Sequence, residues 1–381
     1  MKKFRTIFIA AAGMFLLAGC ASSRPAATPQ ETTTAAAEAA TAATSAETTA
    51  PETMAAEGSA AEESTTAKNA GDPSAVSADS FERPTVRVGG LKGPTTMGLV
   101  QLMDASQSGV SENDYEFTMV TAADELTALI ASDKADIALL PANVASVLYS
   151  KTNGKVSVID INTLGVLYLV SADTSITSLE QLKGRTIYLP GKGTTPEYTL
   201  RYLLSASGLS EQDVTLEFKS EAAEVASVLS EDASAIGLLP QPFVTAAIAQ
   251  NDGLSVIMDM TEVWDSLQTD GEKSRLVTGV TIVNNNFLEA HPEAVDTFLK
   301  EHEASIHFTN EDVAASSEMI AAAGIVAKAP LAAKALPYCN ITFLSGEEMK
   351  AALSGYLSVL YSQNPDSVGG KLPDDAFYYI P

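Results

Sequence analysis

Four short segments carry the residue types from which a small-molecule site is built. They are residues 91–97, with Lys92, Gly93, Pro94, Thr95 and Thr96; residues 141–143, with Pro141 and Asn143; residues 191–195, with Lys192, Gly193, Thr194 and Thr195; and residues 241–243, with Gln241 and Phe243. Each is expected to end a strand and open a helix. At such a junction glycine lets the backbone approach a ligand, proline suits the first helical turn, and threonine can cap or bind. The free N–H groups of a helix start carry a positive partial charge, so a carboxylate, sulfonate, phosphate or nitrate is welcome there. Asn143 and Gln241 add donors, and Phe243 an apolar or stacking wall. Lys92 and Lys192 either reach the ligand or remain in solvent. One junction of this kind is an ordinary helix start; four, paired across a repeat, point to binding.

Signatures of catalysis are missing. No G-x-S-x-G, H-E-x-x-H or C-x-x-C occurs, and the glycines around Lys192 have neither the order of a phosphate loop nor the third glycine of a dinucleotide fingerprint. His291, His302 and His307 fall around one C-terminal helix, none four residues from another, and read as surface or interface residues rather than metal ligands. With no histidine at the four junctions, histidine base catalysis is not expected there. Neither enzymatic activity nor a cofactor or metal is expected.

The elements that position these residues alternate. Strand-like runs rich in β-branched residues are expected at 85–91, 115–120, 136–140, 156–161, 166–171, 185–189, 214–218, 235–239, 254–258 and 276–283. Helical periodicity marks 95–106, 122–132, 144–150, 195–207, 221–230 and 243–250. Beyond Asn286 the pattern is helical, with a long amphipathic helix opening at Pro292 and no strand. Residues 121–148 and 220–247 nearly repeat each other, aligning Glu125 with Glu224, Ile137 with Ile236, and Leu139-Leu140-Pro141 with Leu238-Leu239-Pro240. A single repeat of this size implies two similar lobes rather than a solenoid. Alternating strands and helices imply an α/β protein with largely parallel sheets. Lobe one is expected to hold 84–164 and 275–381, and lobe two 166–268. The chain would cross near 163–166 and 273–278, making a hinge, with the helical tail packed on lobe one. Trp264, the sole tryptophan, is expected in the core or at the rim rather than lining the cleft.

The ends and composition set the compartment. Lys2, Lys3 and Arg5 precede a short apolar run, and Leu17-Ala18-Gly19-Cys20 closes it. That order marks residues 1–20 as a lipoprotein signal peptide, with Cys20 as the lipidated residue. Residues 21–80 hold Ala and Thr at 31 of 60 positions and no aromatic residue, so they cannot bury a core and read as a disordered tether. Cys339 is the only other cysteine, which excludes an internal disulfide once Cys20 is lipidated. The formal charge is −25, of which −21 falls on residues 81–381. Nucleic acid and anionic membrane surfaces are therefore poor partners, although local dipoles could still hold an anionic ligand.

The lipobox, the low-complexity stalk, TVRVGGLKG at residue 85, SLEQLKGRTIYLPGKGTTPEYTLRYLL at residue 178 and NNNFLEAHPEAVDTFL at residue 284 together resemble solute-binding proteins of ABC transporters. The resemblance covers residues 84–381 and is nearest the type II, nitrate/sulfonate/taurine and thiamine-precursor-like family. It implies a two-lobed Venus-flytrap that closes on a small polar, anionic or heteroaromatic solute. It further implies docking onto permease subunits, as a monomer anchored on the extracytoplasmic face of a bacterial membrane. Family contacts would fall on residues 91–96, 141–143, 164–165 (with Gly165) and 192–195. These loops contain no arginine, so a bidentate clamp for carboxylate or sulfonate is missing. Phe243, Tyr168 and Met97 would suit a heteroaromatic ring. Two alternatives remain: an enzyme of the same fold acting on a pyrimidine or aromatic precursor, and a surface adhesion or sensory protein with a vestigial cleft. Export argues against the first, whose substrates are cytoplasmic.

Overall fold

The protein is described here by a computed structural model over residues 84–268 and 274–381. The leader, Cys20, the 21–80 tether and Lys273 lie outside the described residues.

The first strand, β1 (Thr85–Leu91), buries Val86 and Val88 on alternate positions. Where one helix is expected over 95–106, two form, α1 (Pro94–Met97) and α2 (Val100–Gln107). The break falls beside Gly98, where an added Cβ would lie 2.6 Å from Ile306 and 3.2 Å from Ile341. Close approach of the C-terminal segment thus overrides local helical propensity. There follow β2 (Asp114–Val120), α3 (Ala123–Ala131), β3 (Ile137–Pro141), α4 (Ala142–Thr152) and β4 (Val156–Leu164). The cycle then recurs as β5 (Leu167–Ser171), β6 (Thr186–Pro190), α5 (Thr195–Ala206), β7 (Thr215–Lys219), α6 (Ala222–Glu231), β8 (Ile236–Pro240), α7 (Phe243–Gln250), β9 (Ser255–Asp259) and α8 (Met260–Leu267). The remainder comprises β10 (Val277–Asn284), α9 (Asn285–Ala290), α10 (Pro292–Glu311), α11 (Val313–Ala322), α12 (Ala329–Ala335), β11 (Ile341–Leu344) and α13 (Gly346–Gln363).

Two sheets result, ordered β11-β4-β10-β3-β1-β2 and β7-β6-β8-β5-β9. They are mixed rather than largely parallel. Among the described strands, parallel ladders join β1 with β2 and β3, and β6 with β7 and β8. β10 runs antiparallel to both β3 and β4, and β5 antiparallel to both β8 and β9. Each of these two strands comes over from the other sheet instead of returning through a βαβ crossover, and so is free of that unit's parallel constraint. The C-terminal segment is also not wholly helical. Its four-residue β11 pairs with β4 and covers that edge of the first sheet.

One apolar cluster is continuous across both sheets, joining Leu140 and Val280 in the first to Leu169 and Leu238 in the second through Tyr356 and Trp264. Trp264 is fully buried between Tyr202 and Tyr356, with ring centroids 4.8 and 5.7 Å away. The surface reading of the histidines fails at His302. It is fully buried, Nδ1 3.1 Å from Asp160 Oδ2, with Phe298 and Phe343 against its ring. The helix α10 turns this face onto the first sheet, where a polar side chain is tolerated because Asp160 meets it. Burial pushes the Cys339 thiol up to about 12, so it is inert at neutral pH.

Truncating Trp264→Ala should cost about 3–5 kcal/mol, because it empties the junction of three aromatic rings. Urea unfolding measures this; a loss under about 1 kcal/mol would show that the junction carries little of the stability.

Candidate functional site

All four junctions form where strands pass into helices, but their side chains are used differently. At the start of α1, Thr95 and Thr96 are buried, and Thr96 donates to the Leu91 carbonyl at 2.5 Å. The backbone of β10 passes so near that a Cβ on Gly279 would lie 2.5 Å from Thr95 Cγ2. Glycine there is a steric requirement. At the start of α4, Pro141 ends β3 and Asn143 is buried. At the start of α5, Gly191 and Gly193 adopt φ of 71° and 77°, which favours glycine. The Gly193 N–H donates to Glu197 Oε2 at 2.6 Å, and Glu197 Oε1 accepts from Arg201 Nε at 2.8 Å. The positive end of α5 is therefore already met by a carboxylate of its own first turn. At the start of α7, Gln241 is buried, its Oε1 accepting from the Thr245 hydroxyl at 2.8 Å, while Phe243 is partly exposed.

Two of the sequence candidates meet across the sheets. Thr195 Oγ1 donates to Asn143 Oδ1 at 3.3 Å, joining the starts of α5 and α4. Gly165 lies at the chain crossing; its carbonyl accepts from Asn340 Nδ2, and a Cβ there would strike Thr261 and Leu276. Others lie apart. Lys92 is exposed and extends toward Gly324 beyond α11, and Lys192 sits 5.6 Å from the Phe218 ring on β7. Gly193 and Thr194 face solvent.

Several polar groups near this contact escaped the sequence reading. The Tyr356 phenol, pushed up to about 12 by burial, stands beside Thr195 and Thr199, whose hydroxyls pull it the other way. Neither contact reaches hydrogen-bonding geometry for Tyr356, and Tyr356 Oη, Thr199 Oγ1 and Trp264 Nε1 are all buried without a partner. In the first sheet, Thr163 Oγ1 donates to Asn162 Oδ1 at 2.9 Å, and Asn162 Nδ2 to Thr281 Oγ1 at 3.1 Å. Thr281 donates in turn to Asp160 Oδ1 at 2.7 Å, whose other oxygen faces His302. A polar chain thus descends from the end of β4 into the core. Its signal was present in VSVIDINTL, where Asp160 follows two apolar residues and precedes a third inside a strand. Tyr356 gave no such signal, since its role comes from α13 packing on α5.

A groove of about 790 Å³ opens between α7, β9 and the segment after α11. Tyr168, Gln241, Val256, Asp259, Lys334 and Tyr338 are among its walls. The Tyr168 hydroxyl donates to the Tyr338 carbonyl at 2.8 Å, and burial followed by the nearby Asp259 raises its pKa.

Asp160→Ala should cost about 3 kcal/mol or more, by leaving His302 and Thr281 without their shared acceptor. Asp160→Asn should recover part of that cost, since one oxygen remains; equal melting curves for the two variants would contradict the network.

The family model described as NMT1/THI5 like matches residues 112–314, more than half of the chain. Among solved structures, an ABC transporter protein from Parabacteroides distasonis is 25% identical, covers 78% of this chain and 98% of its own, and superposes with a TM-score of 0.66. The periplasmic aliphatic sulphonate binding protein SsuA from Escherichia coli is 17% identical over 78% of this chain and 92% of its own, with a TM-score of 0.63. The alkanesulfonate-binding SsuA from Xanthomonas axonopodis pv. citri, bound to MOPS, is 16% identical over 77% and 96%, with a TM-score of 0.55. These likenesses establish the periplasmic-binding-protein fold. None of the curated proteins compared matches the chain.

Proposed function

The chain belongs to the NMT1/THI5-like family, and from that premise we propose that it is the solute-binding receptor of an ABC importer. Residues 84–164 with 275–381 form one lobe and 166–268 the other, and they close on a small solute. Anchoring through Cys20 on the extracytoplasmic face, with permease subunits as partners, completes the reading. The observation that carries it is the Thr195–Asn143 hydrogen bond, where helix starts from the two sheets meet. Parting them would bare the Thr195 hydroxyl and the Asn143 amide, beside the unpaired Tyr356 and Thr199 hydroxyls.

This set of groups is neutral. Tyr356 stays protonated at physiological pH, and Glu197 already occupies the start of α5. Lys92 and Lys192 extend elsewhere. A polar or heteroaromatic solute fits these groups better than a sulfonate, in contrast to the ligands named for the SsuA proteins. A buried anion would need a compensating cation that the contact lacks.

A thermal-shift panel on the intact chain tests the reading, with pyrimidines and flavins set against alkylsulfonates and nitrate. A ligand at a hundred times its Kd stabilises by about 2.7 kcal/mol, which raises the melting point by about 4 °C. The expected result is a selective shift from a ring solute, abolished in Thr195→Asp. A panel without any shift, or a shift indifferent to Thr195→Asp, would count against this site.

A further inference from the structure

The groove beside β9 is distinct from the Thr195–Asn143 contact, and we propose that it is a second binding site, for a small apolar ammonium carrying a hydrogen-bond acceptor. Its size suits such a molecule: about 790 Å³ lies within the range of ordinary ligand pockets. Its walls are apolar on two sides, from Val244 and Ile248 of α7 and from Val256 and Met258 of β9. Val256, an aliphatic side chain, is 43% exposed on the edge strand, where nothing in the chain covers it among the described residues.

The polar groups of the groove specify the rest of the ligand. Asp259 and Glu262 both line it, and among the described residues neither forms an ion pair. One Asp259 oxygen accepts from the Thr261 N–H at 2.8 Å, capping α8, and the other takes no partner among the described residues. Tyr168 and Tyr338 add aromatic rings, and carboxylates beside aromatic faces are the usual surroundings of a bound organic cation. Lys334 is the single cation in the lining; it is exposed on the rim of α12 and leaves the groove net negative. Gln241 supplies the acceptor requirement. It is 97% buried by its 3% exposure, lines the groove, and spends its Oε1 on Thr245, while its Nε2 donor takes no partner among the described residues. That donor belongs to a residue lining the groove, and an ether or hydroxyl oxygen on the solute would meet it.

The groove also spans both halves of the chain. Tyr168 and Gln241 belong to the second sheet and the start of α7, whereas Lys334 and Tyr338 follow α11, and the Tyr168–Tyr338 hydrogen bond ties the two sides. An occupant would therefore bridge α7 and α12.

Isothermal titration of the intact chain with benzoylcholine tests the site, against ethyl benzoate, which keeps the ester and the ring and lacks the charge. The expected result is saturable one-to-one binding of benzoylcholine alone, weakened about fivefold in Glu262→Gln. Val256→Arg, which places a cation on the exposed wall, should abolish it. Thr195→Asp should leave it unchanged, which separates this site from the one proposed above. Absence of saturable binding, equal binding of ethyl benzoate, or indifference to both groove variants would overturn the proposal, as would loss of binding in Thr195→Asp.

Discussion

The aromatic seam where Trp264 packs between Tyr202 and Tyr356 governs what the two sheets can do relative to each other. Trp264 and Tyr202 ride on α8 and α5, which attend the second sheet, while Tyr356 rides on α13, which packs on β4 and β10 of the first. Separating them exposes apolar surface worth about 1.5–3 kcal/mol per large side chain. Yet the same seam buries Trp264 Nε1, Tyr356 Oη and Thr199 Oγ1 without partners, at about 1–3 kcal/mol each. Water would recover those groups on opening. The apolar gain and the polar cost at this seam are thus of similar size.

The charge at the start of α5 is balanced within the chain itself. The chain carries −25 overall, and its α5 start is closed by Glu197 held in turn by Arg201. The helix dipole is thus met internally rather than left for an anion. Lys192 does not turn to that helix start but lies over the Phe218 ring. The side chains at the Thr195–Asn143 contact are a hydroxyl and an amide, with the Tyr356 hydroxyl beside Thr195.

How far the sequence could be read follows from how local each cause is. The strand β1 and the helix α7 were legible to the residue, because alternation and helical period are written within a few positions. The break at Gly98 was not, since it arises from Ile306 and Ile341 more than two hundred positions away. The strand β11 is four residues long between helices, too short for a period-two signal. His302 sits between glutamates at 301 and 303, and so read as exposed; only the packing of α10 shows that its face turns inward onto Asp160. The four junctions were visible as strand-to-helix starts, but the directions of Lys92 and Lys192, and the arrival of Tyr356, depend on tertiary packing that no spacing encodes.

The strand order carries a consequence for how the chain can be made. β10 lies between β3 and β4, so without residues 277–284 the first sheet is two separate pieces, β2-β1-β3 on one side and β4 with its later edge on the other. The second sheet has all five of its strands by Asp259. In any process that delivers the polypeptide from its N-terminus, the sheet begun first must wait, holding open an unpaired edge on β3, while the sheet begun second closes. Synthesis order and completion order are thus inverted, and the early half is the one that needs protection from premature pairing until the late strand arrives.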